Sequence, residues 1–391
     1  MYLSSLHLKN FRNYQHLDLE LPKGLLLFLG DNAQGKSNLV EAGYLLAIGR
    51  SVRATHERDI VSWNPSEYEG HTQVAGTVYS AQGIIKLQID YATQDKWANV
   101  VENSEEQQSS YNVLKRVRIN GIARRTSDLV GVFNAVLFEA SDIQLVEGTP
   151  SIRRRYLDIL LSQISSTYLR TLQQYQKVLT QRNHLLRAIR DGRSKANELE
   201  FWDEELVQHG AYILHSRFQS VTALDQLANP IFNRLTNTQE AFSVTYIATT
   251  GDPQSEESDL QANFRKSLIL TQRHEIMIGS TQIGPHRDDL YISAASRDLR
   301  AYGSRGERRI AALTLRLAEG EFLTIRKGDE PVLLLDDILS ELDSNRSHYV
   351  MDTIANYSQV LLTSAQGSSL PSSISPPTAT FHVHNGTIVA A

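Results

Sequence analysis

The 391-residue chain contains no cysteine. A disulfide framework, a thiol nucleophile and a cysteine-ligated zinc site are therefore excluded. The chain also lacks an excess of positive charge, because 39 lysines and arginines stand against 44 aspartates and glutamates, for a formal net charge of −5. A protein that is basic throughout is excluded, and any nucleic-acid binding must use a local basic surface.

Long apolar runs are also missing. Near the N-terminus the longest run is Leu25–Leu29, far short of the ~20 residues that a membrane-spanning helix needs. The opening segment MYLSSLHLKNFRNY has no signal-peptide core. We therefore expect a soluble, cytoplasmic protein without a membrane partner, and the chain length favours roughly two to three compact units.

The first part of the chain has strand-like spacing. Leucines repeat mostly at every second position on both sides of a turn at Asn10–Tyr14, and this spacing predicts two strands. The run Leu25–Leu29 predicts a strand buried on both faces, as in a parallel sheet. Alternation between residues 71 and 101 predicts further strands, and residues 99–110 predict a polar surface loop.

Residues 151–229 contain no proline. Their apolar residues recur every three or four positions, which predicts a helical stripe or a coiled-coil seam. A turn at Arg187–Lys195 would join two helices of roughly 30–35 residues into an arm on the order of 50 Å long. The alternative is a compact helical subdomain. Residues 250–260 predict an acidic loop, and Thr380–His384 predicts a last strand after a Ser/Pro-rich stretch, 367–379.

A phosphate-binding loop directly follows the first apolar run. Every fixed position of the pattern G-x-x-x-x-G-K-[ST] is met by Gly30, Asp31, Asn32, Ala33, Gln34, Gly35, Lys36 and Ser37. In such a loop the backbone N–H groups and the start of the next helix face phosphate oxygens. The lysine reaches the β- and γ-phosphates, and the serine hydroxyl binds Mg²⁺. The motif therefore predicts a site for ATP and Mg²⁺, followed by an amphipathic helix.

A pair of carboxylates follows a second apolar run. Val332–Leu335 precedes Asp336 and Asp337. Asp336 is predicted to hold the Mg²⁺ shell, and Asp337 to act with Lys36 in catalysis by orienting or deprotonating the attacking water. Two acids after a strand can also simply begin a helix, and this motif alone leaves that alternative open. The wide gap between the two motifs predicts a large insertion, for which the helical segment is the candidate.

Several motifs resemble those of one family. The segment L-x-L-x-N-F-R-N-Y and the loop GDNAQGKSNLVEA are similar to the head of the structural-maintenance-of-chromosomes and RecF class of ABC-type ATPases. Three later motifs resemble the RecF family in particular: Gly148–Asp158, Gly284–Asp289 and Asp336–Asp343. The resemblance covers nearly the whole chain in the expected order.

The resemblance implies an α/β fold, an ABC-type P-loop ATPase head with a mixed β-sheet and an inserted helical arm lobe. The head would comprise residues 1–148, with the phosphate loop, and residues 281–391, with the signature, Walker B and D-loop motifs. The arm lobe would comprise residues 149–280. The matching signature residues are Ser304, Gly306 and Glu307.

The resemblance also implies an ATP-dependent DNA-binding protein of replication and recombinational repair. Such a protein acts on gapped or stalled DNA, single-stranded or double-stranded, with RecR and RecO partners, and helps RecA to load. ATP would drive the formation of a homodimer in which Ser304, Gly306 and Glu307 of one subunit close the phosphate loop of the other. A hydroxyl, a glycine N–H and a helix N-terminus form an anion site suited to a γ-phosphate.

Two departures from the family pattern concern hydrolysis. Arg305 stands where the family usually has an uncharged residue, and Ser364–Gln366 stands where many ABC proteins carry a switch histidine. We therefore expect a weak ATPase with slow turnover.

The surface that meets DNA is not identified by the sequence. Basic clusters are candidates, although each is also explained as a solvated face: Arg153–Arg155; Arg116, Arg118, Arg124 and Arg125; and Arg187, Arg190, Arg193 and Lys195. No zinc site, helix-turn-helix or stacking platform stands out, which favours contact with the phosphate backbone.

Three other functions are alternatives. A transporter ATPase subunit places its signature much closer to the phosphate loop than Ser304 is to Ser37. An ATP-gated nuclease needs a further metal-dependent domain, for which too little chain remains after Asp337. A structural DNA clamp of the chromosome-maintenance type is the main alternative, because ATP binding and turnover use nearly the same residues.

Overall fold

The computed structural model describes residues 1–60, 71–94, 112–251, 254, 257–365 and 376–391. Within these ranges the strands are β1 (Tyr2–Phe11), β2 (Tyr14–Glu20), β3 (Gly24–Leu29), β4 (His71–Ser80), β5 (Gly83–Gln94), β6 (Asn112–Ile119), β7 (Ile122–Arg124), β8 (Ala135–Glu139), β9 (Phe242–Ile247), β10 (Asp289–Ala294), β11 (Arg297–Asp298), β12 (Val332–Asp336), β13 (Gln359–Ser364), β14 (Ala379–His384) and β15 (Thr387–Ala390). The α-helices are α1 (Lys36–Ile48), α2 (Thr126–Leu129), α3 (Gln144–Glu147), α4 (Pro150–Ile164), α5 (Ser166–Arg190), α6 (Leu199–Thr236), α7 (Glu257–Ile278), α8 (Leu299–Tyr302), α9 (Arg305–Lys327) and α10 (Ser344–Ile354).

The chain divides into two compact units. The first unit combines Met1–Ala140 with Leu323–Ala391, and the second is Ser141–Phe322. The second unit therefore contains the whole predicted arm, residues 149–280, together with the signature segment.

The first unit contains a six-stranded sheet in the order β15-β14-β3-β13-β12-β8. Its five strands from β14 to β8 are parallel. Leu26, Leu27 and Phe28 of β3 are buried, and because successive side chains point to opposite faces, this confirms the predicted strand buried on both faces. Asp336 lies in register with Thr363 on β13 and Glu139 on β8, so polar residues meet at the carboxyl edge of this sheet.

Helix α1 is buried on all sides. Every residue from Leu39 to Ile48 is buried, so the prediction of an amphipathic helix was wrong. The reason is that α1 contacts both the parallel sheet and strands of the second, antiparallel sheet of the unit. A helix enclosed on both sides needs no polar face.

The antiparallel sheet has the order β2-β1-β4-β5-β6-β7. Strands β1 and β2 form the predicted hairpin around the NFRNY turn, with Phe11 opposite Tyr14. The predicted surface loop 99–110 and most of the Ser/Pro-rich stretch lie outside the described residues. The predicted strand Thr380–His384 is confirmed as β14, but it is not the last one, because β15 follows and pairs with it.

The second unit is built on helices α4 to α7 and a three-stranded sheet in the order β11-β10-β9. The predicted first arm helix is two helices, because the chain breaks at Ser165, whose hydroxyl caps α5 by accepting the N–H of Tyr168. Helix α6 has 38 residues, about 57 Å of helix. Helices α5, α6 and α7 pack against one another, so the insert is a helical subdomain rather than a two-helix arm.

Helix α7 was not predicted. It begins at Glu257, inside the segment 250–260 that was expected to be a loop. No helix in the described part of the chain is long and apolar enough to cross a membrane.

Candidate nucleotide-binding site

The phosphate loop connects β3 to α1 in the first unit. Asp31, Asn32 and Ala33 form an exposed turn, and Ala33 and Gly35 adopt left-handed backbone conformations, with φ of +65° and +117°. Among the described residues no side chain caps the N-terminus of α1. The first N–H groups of this helix are therefore available to an anion.

The β1–β2 hairpin holds this loop from one side. The Asn13 amide donates to the carbonyl of Gln34 at 3.0 Å, and the Tyr14 hydroxyl donates to the carbonyl of Gly35 at 3.0 Å. A Cβ atom at Gly35 would lie 2.6 Å from the Asn13 side chain, so a glycine is needed both for its φ and for this close approach. The NFRNY motif is thus a clamp on the loop backbone, a role that the sequence analysis did not assign.

The C-terminal hairpin holds the loop from another side. The backbone N–H of Gly386 donates to the carbonyl of Gln34 at 3.0 Å, and that of Asn385 donates to its side chain at 2.8 Å. A Cβ atom at Gly30 would lie 2.4 Å from the carbonyl oxygen of Val383 on β14. The loop is therefore positioned by both ends of the chain.

Lys36 is buried inside the loop that it follows. Its Nζ donates to the carbonyls of Gly30 and Asp31 at 2.7 and 2.8 Å, and the residue is 7% exposed. The ammonium group is thus held against the backbone carbonyls at the start of the loop.

The structure brings the two predicted motifs together. The Ser37 hydroxyl donates to Oδ1 of Asp336 at 2.9 Å, across a separation of 299 residues. Thr363 of β13 donates to the same oxygen at 2.8 Å. A hydroxyl and a carboxylate are ligands that Mg²⁺ accepts, so this pair fits the predicted metal site.

Arg53 is a site residue that the sequence analysis missed. Its Nη2 lies 2.5 Å from Oδ2 of Asp336 and 2.6 Å from Oε1 of Glu139. Burial opposes the charge of Arg53, but the carboxylates of Glu139 and Asp336 outweigh burial and raise its pKa. A single arginine in a loop forms no sequence motif, so Arg53 could not be recognised from the sequence. The position of Glu139 beside Asp336 follows from the parallel pairing of β8 and β12.

A buried ion pair is linked to Arg53 through the hydroxyl of Ser51. Arg12, in the NFRNY turn, donates to both carboxylate oxygens of Glu41 on α1, at 3.1 and 2.8 Å. Glu41 also accepts the hydroxyl of Ser51, and that hydroxyl accepts the N–H of Arg53 at 3.0 Å. The hairpin turn, α1 and the Arg53 segment are therefore linked through one carboxylate.

Asp337 begins the segment after β12 with a left-handed backbone, φ +51°. Its N–H donates to the Thr363 hydroxyl at 3.0 Å, and its carbonyl accepts the Ser340 hydroxyl at 2.8 Å. Burial raises the pKa of the Asp337 carboxyl, against the opposing charge of Lys36. A raised pKa suits a carboxylate that takes a proton. Gln366 of the expected switch position lies outside the described residues.

The signature segment lies in the second unit and has a local structural role. Ser304 accepts the N–H of Glu307 at 3.2 Å, and the Glu307 carboxylate accepts the N–H of Ser304 at 2.7 Å. These hydrogen bonds lower the pKa of Glu307. They form a capping box at the start of α9, which the spacing S-x-x-E could have revealed. Ser304, Arg305 and Gly306 are exposed.

Two motifs of the resemblance meet within the second unit. Arg153 of α4 donates to both carboxylate oxygens of Asp289 at 2.6 and 2.9 Å and is 2% exposed. Asp288 accepts the Tyr246 hydroxyl at 2.6 Å and the Thr249 N–H at 2.8 Å. Arg153 was therefore wrong as a candidate DNA contact, because a buried, paired guanidinium cannot reach a phosphate.

Other candidate DNA contacts are also paired. Arg118 lies 2.5 Å from Asp90, and both Arg190 and Arg193 pair with Asp191 at the α5–α6 turn. Because each of these arginines is paired with a carboxylate, the net positive charge available to the DNA phosphates is smaller.

His286 of the Gly284–Asp289 motif is a neutral, largely enclosed imidazole. Its Nε2 faces the carbonyl of Thr281 at 3.2 Å, so Nε2 carries the proton and Nδ1 accepts the Tyr175 hydroxyl at 2.7 Å. Burial, with the nearby cations of Arg287 and Arg154, lowers the pKa of His286 to about 4.

This pKa predicts acid sensitivity. Between its ordinary value of 6.5 and about 4, the unfolded chain binds a proton that the folded chain does not, so stability falls as the pH falls through that window. We expect a loss of about 2 kcal/mol between pH 7 and pH 5 from this group, measured by urea unfolding. His286→Asn should remove that pH dependence, whereas His382→Asn, at an exposed histidine, should not. An identical pH profile for all three chains would contradict the assignment.

Comparisons with known proteins agree with this geometry. The family model for the RecF/RecN/SMC N terminal domain matches residues 2–388. The DNA replication and repair protein RecF of Roseiflexus castenholzii is 41% identical over 379 residues, covering 94% of each chain. The protein of the same name from Herpetosiphon aurantiacus is 40% identical over 397 residues, covering 100% of each.

Solved structures give the same result. The recombination mediator protein RecF-ATP in the RecFOR pathway matches with a TM-score of 0.87 at 32% identity, covering 100% of this chain and 97% of that one. The Smc head domain from Pyrococcus furiosus matches with a TM-score of 0.56 at 17% identity, covering 100% and 96%, which is a likeness of fold alone. This chain therefore belongs to the RecF family of DNA replication and repair proteins.

Proposed function

We propose that this chain is a cytoplasmic, ATP-dependent DNA-binding protein of replication and recombinational repair. It would act on gapped or stalled DNA with RecR and RecO partners and help RecA to load. The observation that carries the proposal is the hydrogen bond of 2.9 Å between Ser37 and Asp336, beside the buried Lys36. Two motifs 299 residues apart would thereby form one site for a nucleoside triphosphate.

The triphosphate would lie on the open N-terminus of α1. Lys36 would exchange the carbonyls of Gly30 and Asp31 for phosphate oxygens, because an anion binds an ammonium group more strongly than a neutral carbonyl does. Ser37 and Asp336 would hold Mg²⁺, which when bound neutralises phosphate charge. In the described residues no group of three or more His, Asp or Glu side chains could hold a metal ion, so phosphate and water oxygens would complete the shell. Arg53 places a further positive charge beside Asp336 and Glu139.

Lys36→Ala should weaken ATP binding about 100-fold, because a charge-assisted hydrogen bond contributes about 3 kcal/mol. Titration with a fluorescent ATP analogue measures this change. Lys177→Ala removes an exposed lysine and is the matched control, with unchanged affinity expected. Circular dichroism shows whether the variant folds. Equal affinities in a folded Lys36→Ala chain would disprove the assignment of this loop.

Hydrolysis is proposed to be slow, with Asp337 as the base that accepts a proton from water. The raised pKa of Asp337 and its position directly after Asp336, the proposed Mg²⁺ ligand, support this role. Arg305 and the absence of a histidine at Ser364 and Ala365 support slow turnover.

ATP would join two chains. The exposed N-terminus of α9, with Ser304 and Gly306, would meet the γ-phosphate on the loop of a partner subunit. Glu307 would act indirectly, since its carboxylate fixes the capping box that orients Ser304.

Sedimentation tests the whole proposal. The chain is centrifuged alone, with a non-hydrolysable ATP analogue, with gapped duplex DNA, and with both. We expect the chain to be a monomer by itself and a dimer with the analogue. It should sediment with gapped DNA only when the analogue is present. Binding of DNA that is unaffected by nucleotide would contradict an ATP-dependent protein.

A further inference from the structure

Helix α7 presents one continuous exposed face. From Ala262 to Ile278 its exposed residues recur every one, three or four positions, which is one side of a helix about 24 Å long. We call this set the α7 face, and it consists of Ala262, Arg265, Lys266, Ile269, Leu270, Arg273, His274, Met277 and Ile278.

The opposite side of α7 fixes this orientation. Leu260, Phe264 and Leu268 are buried, and Glu275 is completely buried against Arg182 of α5, with 2.8 Å between the charged atoms. Rotating the helix to hide the α7 face would expose these apolar residues and break a buried ion pair. The α7 face is therefore held on the surface by the packing of the unit itself.

Four large apolar side chains of the α7 face are open to solvent. Ile269, Leu270 and Met277 are 69%, 75% and 70% exposed, and Ile278 is 45% exposed. Single exposed apolar residues are ordinary, but a contiguous set marks an interaction surface. Phe201, 63% exposed on α6, lies one helical turn from Glu204, which pairs with Arg265 of the face.

The α7 face carries a net positive charge. Arg265, Lys266 and Arg273 are basic and none of the nine residues is acidic, while the exposed Asp259 lies on the same side of the helix one turn before Ala262. The one carboxylate within that length of helix, Glu275, is buried. In the described part of the chain neither Lys266 nor Arg273 forms an ion pair, so their charges are available to a ligand. A complementary surface combines apolar side chains with carboxylates.

DNA fits less well than protein. A phosphate backbone would contact the basic residues but leave the four apolar side chains in water. An anionic membrane is the other surface that combines apolar groups with negative charge, and the test below distinguishes it from a helix. We propose that the α7 face docks an acidic amphipathic helix of a partner protein, whose apolar residues cover Leu270 and Met277 and whose carboxylates pair with Lys266 and Arg273. This contact does not require nucleotide.

Fluorescence anisotropy on the full chain tests the proposal. The probe is a labelled helical peptide of about 18 residues with leucines on one face and glutamates elsewhere, compared with a scrambled peptide of the same composition. We expect the amphipathic peptide to bind at least about tenfold more tightly than the scrambled one, with and without ATP. Leu270→Ser with Met277→Ser should remove that difference.

Charge reversal gives a second, independent readout. Lys266→Glu with Arg273→Glu should reject the glutamate peptide and gain binding of a matched lysine peptide, a change that mere unfolding does not produce. Arg193→Glu, at an exposed position on the α5–α6 turn, is the control and should leave binding unchanged. Circular dichroism and urea unfolding show whether each variant is folded.

Three results would overturn the proposal. Equal affinity for amphipathic and scrambled peptides would show that the α7 face does not recognise a helix. Tighter binding to phosphatidylglycerol vesicles than to the peptide, abolished by Leu270→Ser, would make the face a membrane contact. Nucleotide-independent self-association that Leu270→Ser abolishes would make its occupant a second copy of this chain.

Discussion

Asp337→Asn should lower the rate of ATP hydrolysis about 100-fold while preserving ATP binding, because an amide cannot accept the proton that a carboxylate accepts. The substitution keeps the shape of the side chain and leaves intact the backbone hydrogen bonds to Thr363 and Ser340. Asparagine also tolerates the left-handed backbone at this position. Phosphate release under single-turnover conditions measures the rate, and a fluorescent analogue measures binding.

The control for this variant is Asp352→Asn, which removes an exposed carboxylate on α10 and should not affect turnover. The wild-type rate should fall as the pH falls through the pKa of Asp337, because only the ionised carboxylate acts as a base. Burial holds that pKa above its ordinary value, so the loss should begin at a higher pH than for an exposed aspartate. Unchanged turnover in Asp337→Asn would assign the base elsewhere, with Glu341 the next residue to test.

Gly306→Asp should abolish dimerisation driven by ATP without weakening ATP binding by the monomer. A Cβ atom at Gly306 would meet only the Ser304 hydroxyl, at 4.0 Å, so the substitution fits within one chain. A carboxylate in the first turn of α9 also favours the helix macrodipole. If this helix end meets the γ-phosphate of a partner subunit, the same carboxylate will repel it, because both groups are negative. Light scattering with a non-hydrolysable analogue measures the dimer.

Gly306→Asp is a sharper test than removal of Ser304. The Ser304 hydroxyl caps α9, and losing a cap costs about 1 kcal/mol of stability. A Ser304 substitution would therefore change stability and dimerisation at the same time. Gln173→Glu places the same extra charge on an exposed position of α5 and should dimerise normally. A Gly306→Asp chain that forms the dimer as readily as wild type would rule out closure of the site by a partner subunit.

Some features were readable from sequence because their geometry is local. The phosphate loop depends on eight consecutive residues after an apolar strand, and a positive φ at Gly35 follows from the pattern itself. The meeting of Ser37 with Asp336 was also predictable, since parallel strands place their carboxyl ends at one edge of a sheet.

Other features were missed because distant residues decide them. Helix α7 gives no clear period, since Ile269, Leu270, Met277 and Ile278 add apolar residues to its exposed side. Arg153 has the sequence appearance of a surface cation, but Asp289, 136 residues later, makes it a buried partner. No short sequence pattern distinguishes an exposed arginine from one that is buried in an ion pair.

By itself, the sequence determined the nucleotide loop, the acid pair at Asp336 and Asp337, the buried strand before the loop and the RecF resemblance, because each rests on neighbouring residues in a short pattern. Only the tertiary structure decided that Arg53 pairs with Asp336, that the NFRNY turn clamps the loop and that α7 exposes an apolar, basic face. These facts depend on burial and on contacts between segments far apart in the chain, and the free energies of such contacts are not encoded in any short stretch of residues.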